Sequence, residues 1–385
     1  MLIVSPTLRR LLSLDTGAFG WLLASWMALG IAGSLLGGWL SDQGHLRAAA
    51  YGACGLLVAS YGLCALPPTM GHSYSRYIAG LALTGLANAT LSTVGNVALT
   101  RAFPLGARRA LTWLQVSVSA AGMVAPPVWG WLLVRLTDSR LGAGGAVQAL
   151  FCVAAAACLG AFFVLYRRPL PETARSAVER TSARHESERS RSIFGLPLLA
   201  VVAFTTLHSA ADNGAFLWVP DFVEGRFAPT PFPVAWILSG ISAAYVVGRL
   251  VLVNLPDRWR DLTVLTTSSG LGAVFLFFAF RSASEHNLAA LYITGALFLS
   301  ADYPSVMAHI GQLFPKSTGR VMAIAGGVAQ AGSVLVPPLM GYLGQAAGTM
   351  VAGMTVPPLM FGTLSLCAFA WRKRLDRYRY DSTRS

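Results

Sequence analysis

A chain of 385 residues that is 55% hydrophobic and only 12% charged lacks the charge of a soluble domain, which is about 25%; this excludes a soluble globule and a disordered polymer. The net charge of +13 would suit a nucleic-acid binder, but the basic residues sit in short segments between long apolar runs. That pattern indicates a polytopic all-α membrane protein, with the lipid bilayer as partner and no nucleic acid.

In chain order, Met1 to Ser5 is too short for a signal-peptide core, and Arg9-Arg10 follow it rather than precede it. Eleven apolar spans are predicted, near 18–40, 46–66, 76–100, 111–136, 146–166, 196–219, 232–254, 262–280, 288–313, 321–345 and 350–371. Each is long enough to cross ~30 Å of hydrocarbon as a helix. The sequence divides into a helical half of five spans (1–166), a basic linker (167–193), and a half of six spans with a basic tail (194–385). The linker segment RRPLPETARSAVERTSARHESERSRS, with seven Arg and four Glu, cannot bury a core and is expected to be solvated. With the linker and C-terminus on the cytoplasmic side, 22 of the 29 basic residues fall on that side and 7 on the other, as the positive-inside rule requires. The five cysteines (Cys54, Cys64, Cys152, Cys158, Cys367) lie in apolar runs without metal-ligand spacing; buried free thiols are expected, with no metal site and no cofactor.

The chain contains a repeat. Phe103 to Leu132 and Phe314 to Leu343, at a constant shift of 211, share 8 of 30 positions, among them Phe103-Pro104 with Phe314-Pro315, Arg109 with Arg320, and Pro126-Pro127 with Pro337-Pro338. At a shift of 215, Trp21, Gly33 and Asp42 meet Trp236, Gly248 and Asp257. A duplicated unit follows, and the span at 196–219 has no partner in the first half. The first half is therefore expected to be one helix short.

Two helical halves, a central basic linker and paired loops resemble the major facilitator superfamily of secondary transporters. Gly38-Trp39-Leu40-Ser41-Asp42 with Arg47 resembles its G-x-L-x-D loop, departing at Gln43, His45 and Leu46. Arg76-x-x-x-Gly80 resembles its fourth-helix motif, and Pro171-Glu172-Thr173 the PET after its sixth helix. Asp212-Asn213-Gly214 with Trp218-x-Pro220 resembles the seventh helix of the fucose- and glucose-type proton symporters. By this resemblance Asp42, Arg47, Asp257, Arg109 and Arg320 would form a cytoplasmic gate, and the protein would be a monomer of a bacterial inner membrane. A plain solvated anion among basic residues is the bland reading of Asp42 and Asp257.

Ionisable residues deep in a span are costly and are functional candidates by default. His208 and Asp212 share one helix face at i, i+4, with His208 ~21 Å from the linker end of its span. Asp302 and His309 share a face of another span. Asp302 and Asp212 are candidates for binding a coupled proton, with His208 as partner or relay; the bland alternative is a structural Asp–His brace. His309, nearer the cytoplasmic end, suits a structural or gating role. Asn88, Ser92 and Asn96 form a polar stripe that suits solute hydroxyls or helix–helix glue, and Gln115 and Gln330 carry the same two readings. Trp218 and Tyr303, with Trp113, Trp236 and Tyr245, offer stacking surfaces or plain packing. Gly33 and Gly37 are expected to let helices approach closely. No span carries Arg or Lys at mid-depth, which points to a neutral or cationic solute.

The sequence is thus expected to encode a proton-coupled transporter of a small polar, sugar-like solute, working by alternating access. A drug or metabolite efflux permease and a non-transporting receptor or scaffold are the competing readings. No enzyme is expected, because there is no nucleophile–base pair, metal spacing or phosphate-cradling loop.

Overall fold

The computed structural model describes residues 4–67, 73–102, 107–139, 141–167, 195–227, 231–253, 261–314 and 318–382. Every regular element among them is a helix. Lipid offers no partner for backbone N–H and C=O groups, so each span must satisfy its own. The helices are α1 (Ser5–Leu11), α2 (Thr16–Ala28), α3 (Gly30–Asp42), α4 (Leu46–Cys64), α5 (Ser73–Ala102), α6 (Ala107–Thr137), α7 (Gly142–Arg167), α8 (Leu196–Arg226), α9 (Pro231–Val253), α10 (Asp261–Ala279), α11 (Glu285–Leu299), α12 (Asp302–Leu313), α13 (Thr318–Ala346), α14 (Met350–Gly353) and α15 (Val356–Ser382). Of the expected linker, only Arg167 is among the described residues.

By length and composition, nine described spans can cross a bilayer, with α2 and α3 counted together. The two expected spans that fall short are informative. In α8 the polar run around His208, Asp212 and Asn213 dilutes the hydropathy. The span expected at 288–313 is two helices, α11 and α12. Pro304 has no N–H, so the Ser300 carbonyl loses its i+4 donor and the ladder opens at Ser300–Ala301. The span at 18–40 is also two helices, meeting at Leu29 (φ −97, ψ 4) just before Gly30, and the last span begins with the one-turn α14.

The packing follows the repeat. Each Pro-Pro helix lies against a helix of the opposite half, and the shift of 215 makes those two helices equivalent: α6 on α9, and α13 on α2. Along α6, Pro127 removes the donor that would bond Met123 O, and Ser239 Oγ of α9 donates to that carbonyl instead. Along α13, Gly20 of α2 sits so close that a Cβ there would meet Pro337 O and Pro338 Cα at 2.8 Å. Within the first half the expected close approach at Gly37 is present, a Cβ there lying 2.9 Å from Thr90 O.

The halves differ where the repeat is unpaired. In the second half α8 packs on α13 and α15, and 44% of the apolar stretch of α13 is buried. No long helix stands at the matching position among the described residues, and only 11% of the corresponding stretches of α6 and α7 are buried. Trp113, Val124, Trp131 and Phe163 are exposed there. Cys152 is also exposed, unlike buried Cys54 and Cys64, so the expectation of buried thiols fails at that position; all five cysteines are free.

Candidate functional site

The break in the α11–α12 span creates the site. It places Asp302 at the first turn of α12, where the helix N-terminus favours a carboxylate. The Asp302 side chain is fully buried, and Ser268 Oγ of α10 donates to its Oδ1. From α8, His208 Nδ1 lies 3.6 Å from Asp302 Oδ2. That is too long for a hydrogen bond, and neither atom has a hydrogen-bond partner among the described residues. The His208 ring is held between Phe361 at 5.8 Å and Tyr303 at 6.3 Å. A carboxylate and an imidazole thus face each other in the helix packing, too far apart for a direct hydrogen bond.

One turn along α8, Asp212 accepts from the Tyr245 hydroxyl of α9, and Asn213 Nδ2 donates to Ser333 Oγ of α13 at 3.3 Å. The structure therefore places Asp302 of α12 beside His208 of α8, one turn from Asp212; the sequence spacing had put only His208 and Asp212 on a common face. Tyr303 is 42% exposed beside the His208 ring. His309 is buried. Gln330 is half-buried, with Gly30 near its amide, whereas Gln115 and Ser92 are exposed and Asn88 and Asn96 half-buried. Trp218 occupies a different environment from the one a solute-stacking ring needs. It is fully buried, donates from Nε1 to Pro337 O at 3.0 Å and meets Phe19 edge-on at 5.2 Å. Here it is a wedge between the halves. Among the expected gate residues, Arg47 is half-buried; Asp257 lies outside the described residues, as do the side chains of Asp42, Arg109 and Arg320.

A second polar cluster lies at the end of the bundle remote from the linker. Arg9 of α1 pairs with Asp221 of α8, and Arg10 Nη1 reaches Glu224 Oε2 at 3.0 Å. Arg9, Arg10, Asp221, Glu224, Arg226 and Gln345 line a cavity of about 930 Å³ there. These bonds join the first half to the second. Sequence reasoning missed them because α1 is a seven-residue helix that none of the predicted spans contained; the signal available was two acids at i, i+3 closing an apolar span, with an Arg pair elsewhere at the same end.

Two helical halves joined along paired seams, with buried ionisable groups at a broken helix, define a membrane carrier. A family model described as Major Facilitator Superfamily matches residues 1–228 and 205–384, and the chain belongs to that family, whose members move solutes across membranes and are not enzymes. The chain is 20% identical over 244 residues to a protein named Protein TsgA homolog from Edwardsiella ictaluri (strain 93-146), an alignment covering 63% of this chain and 58% of that relative's length. Its fold is similar to the inward-open xylose transporter XylE from E. coli (TM-score 0.73, 13% identity, covering 96% of this chain and 91% of that one). It is also similar to a D-xylose-proton symporter (0.75, 14%, 95% and 92%) and to tetrameric PepTSo2 (0.69, 14%, 98% and 94%).

Proposed function

We propose that the protein is a proton-coupled secondary transporter of a small polar organic solute, with the solute held between the halves and moved by rocking them. The observation that carries this is the fully buried Asp302 facing His208 at an interrupted helix. A charge at that depth is expensive unless it serves a cycle, and interrupted helices are where such carriers bind coupling ions. Asp212, bonded to Tyr245, is the second proton acceptor. The solute would contact Asn88, Ser92, Asn96, Gln115, Gln330 and Tyr303. Asp42, Arg47, Asp257, Arg109 and Arg320 would latch the linker side, which we assign to the cytoplasm of a bacterial inner membrane, and the carrier would act as a monomer. The likeness to a D-xylose-proton symporter supports this reading.

Proteoliposomes test it. Solute uptake should rise when the outside is acidified, and Asp302→Asn should abolish pH-driven accumulation while leaving counterflow exchange measurable. Accumulation equal to wild type in Asp302→Asn and in Asp212→Asn would remove the proton role. The uncovered face of α6 and α7 favours a second reading, a receptor or scaffold that docks another membrane helix; complete absence of counterflow for every solute at every pH would favour it.

A further inference from the structure

Arg249 sits only four residues from the linker-side end of α9, yet its charge does not stay at that end. Side chains on a helix lean toward its N-terminus, so Arg249 leans toward the middle of the bundle. Its Nη1 donates to Ser119 Oγ at 2.6 Å and to Gln115 O at 3.3 Å, both on α6 of the opposite half. Ser119 is six residues, or ~9 Å along the axis, into the apolar stretch Trp113–Thr137 of α6, inside that stretch rather than at its end. Arg249 Cζ lies 5.3 Å from the centre of the Tyr245 ring, whose hydroxyl donates to Asp212. The guanidinium thus stands beside the proposed proton site, half-buried, across the seam between the halves.

Its partners among the described residues are neutral: a hydroxyl, a carbonyl and an aromatic face. No carboxylate among the described residues lies within 4.0 Å of it. The nearby acids accept from other groups, Asp212 from Tyr245 and Asp302 Oδ1 from Ser268. An Arg drawn away from water without a counter-ion is costly. A guanidinium carries five donors in a planar fork, and its bonds to the described residues use Nη1. Nε and Nη2, which have no partner among those residues, are the pair that matches a two-oxygen anion.

We propose that Arg249 is the solute-binding cation of this carrier and that the solute bears a carboxylate. The carboxylate takes the fork of Arg249, and Ser119 and Gln115 present the opposite half to the same ligand. Binding adds a link through the solute to the direct Nη1 bonds between the halves, which ties solute occupancy to their rocking. The proposal rests on the transport reading above and revises the expectation of a neutral or cationic solute, which counted Arg249 among the charges at span ends. Carrying a carboxylate together with one proton moves no net charge.

The test uses the full-length protein in proteoliposomes under an inward proton gradient, with gluconate, lactate and their neutral counterparts glucose and propane-1,2-diol as probes, and thermal stabilisation in detergent as the binding readout. At least one acid should be taken up ten-fold or more faster than its neutral counterpart and should raise the unfolding temperature. Arg249→Gln should lose both effects, and Arg249→Lys should keep a reduced uptake. Arg281→Gln, a charge-matched change at the far end of the bundle where Arg281 lies over Phe277, should keep both in full. Should Arg249→Gln unfold, the Arg249→Lys and Ser119→Ala variants decide, each expected to weaken acid binding but not binding of a neutral probe. Uptake of a neutral probe that needs Asp302 but is indifferent to Arg249 would overturn the carboxylate site and leave the transporter standing. No uptake and no stabilisation by any probe would overturn both.

Discussion

The Glu224 carboxylate is only 2% exposed and has Arg10 at 3.0 Å, while the Arg10 side chain is 55% exposed. The two members of this pair therefore respond differently to mutation. Deleting Arg10 strands a buried charge. For a fully buried pair that costs ~3–5 kcal/mol, but water beside Arg10 and in the adjoining cavity reduces the penalty to about 1–3 kcal/mol. Arg10→Ala should destabilise by that amount in thermal unfolding, and adding Glu224→Leu should recover most of it, because the stranded charge is gone. Glu224→Leu alone should cost less than Arg10→Ala, since a lone Arg10 can turn to water. The reverse order would mean that the pair is not buried as described. Asp302 is the contrasting case. Its charge has no guanidinium partner, only a serine and an imidazole, and a structural brace would be built more securely than that.

At the scale of the helix, prolines make the connections. Pro127 leaves Met123 O without an amide donor, and Ser239 from the other half fills the vacancy. Ser239→Ala should cost about 1–3 kcal/mol, the penalty of a buried unsatisfied acceptor. In a Pro127→Ala background the helix recovers its own amide, and the same substitution should cost well under half as much; a double-mutant cycle by thermal unfolding measures the difference. Equal costs in both backgrounds would show that Ser239 does not serve the proline gap. The Pro-Pro repeat and its register were legible in the sequence, because Pro, Gly and Arg at fixed spacing survive in an Ala/Leu-rich chain. The break before Asp302 was readable in principle from Pro304, but hydropathy alone runs the two helices into one. The pairing of His208 with Asp302 was not legible: i, i+4 spacing says which residues share a face, not which face meets which helix. Arg249 was misplaced for a related reason, since counting charges near span ends ignores the direction in which a helical side chain leans.

For the molecule as a whole, the repeat gave the architecture and the seams decide how it can move. Two halves meet along α6–α9 and α2–α13, and the end remote from the linker is tied shut by the α1–α8 ion pairs, by Trp21 Nε1 on the Tyr342 hydroxyl at 3.1 Å, and by the close stacking of Gly20 on Pro337-Pro338. A rocking carrier must break the remote ties once per cycle, and a rigid scaffold need not. Gly17 faces Tyr342 closely enough that a Cβ there would lie 2.8 Å from the ring. Gly17→Cys with Tyr342→Cys, in a background freed of the five native cysteines, can therefore be bridged by a short bis-maleimide. Bridging should stop uptake by more than ten-fold while leaving thermal stabilisation by a solute added from the linker side intact, and each single cysteine should transport normally under the same reagent. Uptake that continues at the wild-type rate with the bridge complete would mean that the halves do not separate at this end, and the alternating-access reading would fail.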